Sequence, residues 1–292
     1  MKVRMYGTRG IFPAAGKETI RYGGNTSCVQ LIVPNNNDIF ILDAGTGLKT
    51  LGEKLVVNEN QNIHIFLSHL HWDHIMGVPF FLPLYRESET VKIYSPPQIK
   101  KPLSEEIHEY IKSVEFPIPL GSKIRANLSF HEIKEKNFEI NNLKIKTMKM
   151  NHTLNCYGYR FESDGKIICY TTDHENYYAN DIENEVEVKE ANNLNLKHNQ
   201  FIYKSDILIT DAQYLPEENK KYKGWGHSSF VDALNRAINA KVKSLIFFHH
   251  DPNRTDDQLD KISNHYRKIL EEKNIPIRLY TAKEGWEYVC EI

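Results

Sequence analysis

No uninterrupted apolar run in the 292-residue sequence approaches the roughly 20 residues that a membrane-crossing helix needs. The opening residues, MKVRMYGTRG, carry no apolar core of signal-peptide length. A soluble, cytoplasmic protein with no membrane partner is therefore expected. Charge of one sign is also missing. With 37 Lys and Arg against 38 Asp and Glu, no diffuse basic field exists to gather nucleic acid from a distance. Cysteine is scarce: Cys28, Cys156, Cys169 and Cys290 lie far apart, which argues against a disulfide framework and suits buried thiols in a reducing compartment. A phosphate-binding glycine loop is absent too, because GTGLKT after Asp43 lacks the glycine spacing required ahead of its Lys-Thr pair. No internal repeat is evident.

What is present is enough hydrophobic residue, 40%, to bury a sizeable core. Short β-branched or aromatic runs recur along the chain: CVQLIV (28–33), IFIL (39–42), IHIFL (63–67), VKIY (91–94), YGYRF (157–161), KIICY (166–170), DILIT (206–210), SLIFF (244–248) and IPIRLY (275–280). Helical patterns alternate with them at 47–56 and 103–114. Ser229 with Asp232, and Thr255 with Gln258, resemble capping boxes that open two further helices. An α/β fold of mixed sheets with helices outside follows, read as a single domain over 1–292. Its one compositional break, the Asn- and Glu-rich stretch at 175–200, reads as a polar surface insertion, with a lid or a dimer contact as the alternatives.

The densest chemistry lies in SHLHWDHIMG (68–77), where His69, His71, Asp73 and His74 fall within six positions directly after IHIFL. In extended chain, residues two apart point the same way, so His69 and His71 can grip one ion from a strand end. A regular helix would set them about 200° apart. Imidazole and carboxylate together suit a borderline divalent metal, which takes about four ligands. Four such groups in six residues weigh against unrelated histidines.

At this point the sequence resembles the metallo-β-lactamase superfamily, whose H-x-H-x-D-H signature is matched by those four residues. LDAGTG (42–47), MNHT (150–153), TTDHE (171–175), TDAQY (210–214), GWGHSS (224–229) and FFHHDP (247–252) follow in the family's order, so the resemblance covers nearly the full length. It looks nearest to the phosphodiesterase branch, which includes tRNA 3′-processing endonucleases and cyclic phosphodiesterases. The resemblance implies a four-layer αβ/βα sandwich with two mixed β-sheets. It also implies that His69, His71 and His152 hold one divalent metal and Asp73, His74 and His249 a second, with Asp173 bridging. His152, Asp173 and His249 each follow a strand-like run, where open sheets place their sites. His250 competes with His249. Asp43 reads as a residue that orients the metal loop through hydrogen bonds, with a plain turn role close behind. Zinc suits the imidazole-rich set, with Mn2+, Co2+ or Fe2+ able to use the same ligands.

Two such ions, about 3.5–4 Å apart, would share a hydroxide and hold a phosphodiester for in-line attack. In the resembling phosphodiesterases the leaving oxygen takes its proton from the histidine matched by His227, oriented by Asp211. His227 also precedes the helix near Ser229, whose N–H groups would favour a phosphate oxygen. Arg9 and Arg21 could meet an anionic substrate. The tRNA-processing members insert a flexible arm between the residues matched by His152 and Asp173, here only 21 positions apart. That shortness, with balanced charge, puts a small cyclic phosphodiester, a cyclic nucleotide above all, ahead of RNA as substrate. The alternatives are a tRNA 3′-processing endonuclease, a thioester or lactam hydrolase, and a non-catalytic metal-binding sensor. The family's frequent dimerisation makes a homodimer an expectation.

Overall fold

The computed structural model describes residues 1–55, 61–98, 101–112, 124–134, 137–178 and 185–290. They form two compact units, Met1–Lys136 with Lys283–Val289, and Asn137–Ala282 with Cys290–Ile292. Each unit is built on a seven-stranded mixed sheet with helices between its strands, the α/β class with two mixed sheets that the resemblance implies.

The first unit runs through β1 (Lys2–Gly7), β2 (Cys28–Ile32), β3 (Ile39–Leu42), α1 (Gly47–Lys54), β4 (Asn62–Phe66), the one-turn helix α2 (Trp72–Ile75), β5 (Thr90–Ser95), α3 (Leu103–Lys112) and β6 (Asn127–Glu132). The second comprises β7 (Asn137–Ile140), β8 (Leu143–Lys149), β9 (Tyr157–Ser163), β10 (Lys166–Thr171), α4 (Glu185–Phe201), β11 (Ile207–Asp211), α5 (Pro216–Lys221), α6 (Phe230–Asn239), β12 (Ser244–Phe248), α7 (Asp256–Glu272) and β13 (Arg278–Thr281). The chain then returns to the first sheet as β14 (Glu287–Val289).

The sheet orders are β14-β1-β2-β3-β4-β5-β6 and β13-β12-β11-β10-β9-β8-β7. Each sheet is antiparallel in one half and parallel in the other: β3 to β6 are parallel, as are β10 to β13. Parallel strands are covered on both faces and so read as unbroken apolar runs. Thus IFIL of β3, ILITD of β11 and SLIFF of β12 are buried at every position, whereas LKIKTMK of β8 alternates. Each parallel connection crosses over through helix, so the carboxyl ends of β3 and β4 in one sheet, and of β10, β11 and β12 in the other, share an edge of their sheet.

Both capping boxes are present, Ser229 with Asp232 and Thr255 with Gln258. The first changes the expected anion seat ahead of α6. Ser229 Oγ already accepts from the Asp232 amide at 3.1 Å, the Phe230 amide donates to the Tyr214 carbonyl, and a carboxylate occupies the helix end. The run IPIRLY enters the sheet only from Arg278, since Pro276 has no N–H to offer a ladder. Val56, Ser113 and Val114, read as helix ends, lie outside the described residues. Within 175–200, residues 185–200 belong to α4, the crossover between β10 and β11, while 179–184 lie outside the described residues. Ala191 and His198, two helical turns apart, form its buried face. All four cysteines are buried and free. Among the described residues no helix is long and apolar enough to cross a membrane.

Candidate metal centre

In the first unit the site grows from the ends of β3 and β4. Asp43, with φ 58°, turns sharply out of β3 while its amide still donates to the Phe66 carbonyl. This left-handed backbone suits Asp and brings the carboxylate to the exit of β4. There Oδ1 accepts the Ser68 amide at 2.6 Å, and Oδ2 accepts the Ser68 hydroxyl at 2.9 Å and His74 Nδ1 at 2.8 Å. His69 Nδ1 lies 3.0 Å from the Ser68 oxygen. His71 precedes α2, whose single turn sets Asp73 beside His74, with Oδ2 and Nε2 3.2 Å apart. The glycines after Asp43 serve this packing: a Cβ on Gly45 would lie 2.3 Å from the Asp73 carbonyl oxygen. Asp73 Oδ2 also accepts the amide of Ile11 at 2.7 Å. That bond helps hold a β-branched residue at φ 65°, a conformation such residues rarely adopt. Arg9 is fully buried and its Nε donates to the Gly23 carbonyl at 2.8 Å, so it packs inside the unit instead of meeting a substrate in solvent.

In the second unit Asp173 follows β10 and His249 follows β12, both left-handed at φ 52° and 58°. Asp173 divides its carboxylate: Oδ2 faces His152 Nε2 at 3.6 Å, and Oδ1 faces His249 Nε2 at 3.4 Å. His227 stacks on His249 with ring centroids 5.0 Å apart, and its Nδ1 lies 3.5 Å from Asp211 Oδ2. One ligand atom from each of Asp173, His227 and His249 fits within a 4.8 Å cluster. Asp211, at the end of β11, accepts the Ser228 amide at 2.7 Å and the His174 amide at 3.3 Å, which fixes the loop that carries His227. His250 lies elsewhere: its Nε2 is 3.0 Å from the Ala282 carbonyl oxygen. Of the two neighbouring histidines, His249 is the one beside Asp173.

The hydrogen-bond partners assign the imidazole tautomers. Carboxylates and carbonyls only accept, so His74 Nδ1 carries its proton toward Asp43, His152 Nδ1 toward Gly226 O at 3.1 Å, and His249 Nδ1 toward Gln213 Oε1 at 3.2 Å. The Ser68 hydroxyl proton points to Asp43, which leaves its oxygen to accept from His69 Nδ1. All four Nε2 atoms then carry lone pairs, and three of them face carboxylate oxygens. His69 Nε2 faces His71 Nδ1 at 2.8 Å. Lone pairs gathered against acceptors in buried surroundings call for either extra protons or a shared cation. The donor set of neutral imidazoles with carboxylates is the one divalent metals accept.

Asp43 is read from the sequence as a residue that orients the metal loop, whereas the other residues that fix these tautomers lie inside the quoted motifs without being marked by their type. Ser68, Gln213 and Gly226 are ordinary residue types, found only through contacts between separate loops. Glu175 belongs with them: its carboxylate accepts the amides of Gly224 and Gly226 at 2.9 Å. So does Arg236, fully inside the protein, which donates to Ser228 Oγ at 2.8 Å and Asn176 Oδ1 at 2.7 Å. His174 stacks on His198 at 4.1 Å, and burial, then the charges of His198 and Arg236, hold it well below the usual imidazole range.

The β-lactamase superfamily domain model matches residues 39–250, a span that begins in the first unit and ends in the second. Ribonuclease Z of Prochlorococcus marinus subsp. pastoris is 24% identical over 295 residues, covering 89% of this chain and 92% of its own. Among solved structures, human tRNase Z, short form, superimposes with a TM-score of 0.67 at 18% identity over all of both chains. A diphosphatase from the PhnP family does so at 0.61 and 17% identity, over 100% of this chain and 98% of its own. At such identities the two structures speak for the fold.

Proposed function

This chain belongs to the β-lactamase superfamily, as a metal-dependent hydrolase of its phosphodiesterase and tRNA-processing branch, and from that premise we propose that it cuts RNA near a 3′ end, as a ribonuclease Z. The observation that carries the metal-dependent part is the set of lone-pair nitrogens turned toward Asp73, Asp173 and His71. The RNA part rests on similarity over nine-tenths of the length to proteins of that name. It reverses the order in which the sequence alone ranked RNA and a small cyclic phosphodiester.

By the family resemblance, His69, His71 and His152 would hold one divalent ion and Asp73, His74 and His249 the other, with Asp173 shared between them. Two bound cations would supply an activated water at neutral pH and stabilise charge on the phosphate oxygens. Asp43, Ser68, Gln213 and Gly226 keep the ligating nitrogens unprotonated. His227 holds a proton for the departing ribose oxygen on Nε2, the ring nitrogen away from Asp211. The Asp211 carboxylate, anchored by two backbone amides, keeps that ring oriented. Zinc is the metal this donor set favours.

A second reading, hydrolysis of a small phosphodiester, has one observation in its favour. Strands β9 and β10 are joined by Asp164 and Gly165, both left-handed at φ 50° and 70°, a two-residue hairpin with no room for an inserted arm. Zinc-loaded protein offered a 3′-extended tRNA precursor, cyclic mono- and dinucleotides and a cyclic ribose phosphate separates the two. Cleavage of the precursor is expected. Turnover of cyclic substrates alone would establish the second reading, and bound metal without turnover of any phosphodiester would reject both.

A further inference from the structure

The second unit contains a cavity of about 370 Å³ with His152 in its wall, alongside Asn151, Asn176, Tyr177, Tyr178 and Lys223. Its size falls in the range of small-ligand sites. Several of the polar groups that could read a ligand's edge are already engaged. Asn151 Nδ2 donates to the Glu175 carbonyl at 3.0 Å. Asn176 donates to Asp232 at 2.9 Å and accepts from Arg236 at 2.7 Å. The Tyr178 hydroxyl donates to Asp232 at 2.8 Å, and the Glu175 carboxylate holds the Gly224 and Gly226 amides. Besides the exposed Thr153, whose rotating hydroxyl donates or accepts and so does not select a base, the wall presents aromatic face and one ammonium, Lys223 Nζ, 5.6 Å from the Tyr178 ring centroid.

Tyr177 is fixed in advance. Asn195 of α4 receives its amide at 3.1 Å and donates to its carbonyl at 2.8 Å, and the ring stands edge-on to His174. A platform that needs no ordering on binding costs less to use. The positive charge continues outside the cavity, since Lys220, Lys221 and Lys223 are all exposed and lead to Trp225, itself 55% exposed, two residues before His227. A mononucleotide offers a single phosphate group, whereas a strand brings several phosphates to a surface with three exposed lysines.

We propose that this cavity is a subsite for one nucleotide of single-stranded RNA, its base stacked on Tyr177 and its backbone phosphate met by Lys223, with no reading of base identity. The subsite rests on the RNA reading above and assigns it a place beside His152. Stacking faces combined with cations and without edge-reading groups bind every base alike.

The test is binding of fluorescein-labelled U5 and A5 to zinc-loaded protein, followed by anisotropy. Wild type should bind both within about threefold of each other. Tyr177→Ala should weaken both about tenfold, whereas Tyr177→Phe, which keeps the face, should bind as wild type. Lys223→Ala should weaken both and reduce the slope of log K against log salt by about 0.7, one single-strand phosphate contact. Melting curves that match wild type show that the variants are folded. Unchanged binding in Tyr177→Ala and Lys223→Ala, loss in Tyr177→Phe, or a strong base preference overturns the subsite. Cleavage of the 3′-extended tRNA precursor by wild type reports on the RNA reading separately. Cleavage with U5 and A5 binding untouched by the substitutions overturns the subsite alone; no cleavage of the precursor overturns the reading beneath it.

Discussion

Asp43→Asn tests how the protein sets the proton on His74. Asn fits the left-handed φ of 58° as readily as Asp, so the backbone need not move. Asp43 now accepts three hydrogens, from the Ser68 amide, the Ser68 hydroxyl and His74 Nδ1. Asn offers one accepting oxygen and an NH2 group. With the oxygen kept on the Ser68 amide, the NH2 faces His74 Nδ1, which must then accept, and the imidazole proton moves to Nε2. Exchanging a charge-assisted bond for a neutral one should cost about 2 kcal/mol of stability. The larger consequence is chemical, because a protonated Nε2 cannot ligate. Loss of such an orienting partner weakens metal binding about 10- to 100-fold, or about 1.4 to 2.7 kcal/mol at 1.36 kcal/mol per decade. Long-range 1H–15N NMR of the metal-free protein reads the tautomer, and competition against a chromophoric chelator reads the affinity. A variant whose His74 keeps its proton on Nδ1, with both ions bound at wild-type strength, would refute the reasoning.

Three further outcomes follow from the same contacts. His227→Ala should fold and retain its metals yet lose most turnover of phosphodiesters with poor leaving groups; metal content beside rate checks it, and normal turnover removes His227 from the reaction. In Gly226→Ala the new Cβ would sit 2.1 Å from His152 Nδ1 at a φ of 84°, so His152 must leave its place. Metal affinity should fall at least tenfold together with about 1 kcal/mol of stability, measured by chelator competition and chemical denaturation. His198 is held well below the usual imidazole range by burial and then by the Arg236 charge. Its depressed folded value means that the unfolded chain takes up the proton first. The neutral form's contribution is therefore full above about pH 6.5 and is lost as pH falls below it, at up to about 1.4 kcal/mol per pH unit. His198→Phe should keep the stack on His174 and flatten this acid limb of the stability curve; an unchanged limb counts against it.

Much of this was legible before any coordinates. His69, His71, Asp73 and His74 announce themselves because four ligand residues in one short window have no common structural explanation. Asp173 and His249 come from the family resemblance, and their positions just after the runs of β10 and β12 agree with it. The two capping boxes were legible because each is a contact within four residues. The orienting role of Asp43 was legible, but its partner Ser68 and the Glu175–Gly226 contact were not, because each joins residues that only the folded sheet edge brings together. The helix α4 was hidden for a related reason: its buried face is just Ala191 and His198 in an otherwise polar stretch, too narrow a stripe to stand out. Nor did spacing reveal that Asp232 closes the end of α6 against an anion, since a capping box and an anion seat begin with the same residues.

The central claim is that this chain needs divalent cations to break phosphodiester bonds. It is tested most directly by stripping the purified protein with chelator and titrating zinc back while turnover of bis-p-nitrophenyl phosphate is followed. Turnover that starts from zero, rises with added zinc and levels off at two ions per chain is predicted. Turnover that survives stripping, or that zinc never restores, would contradict it.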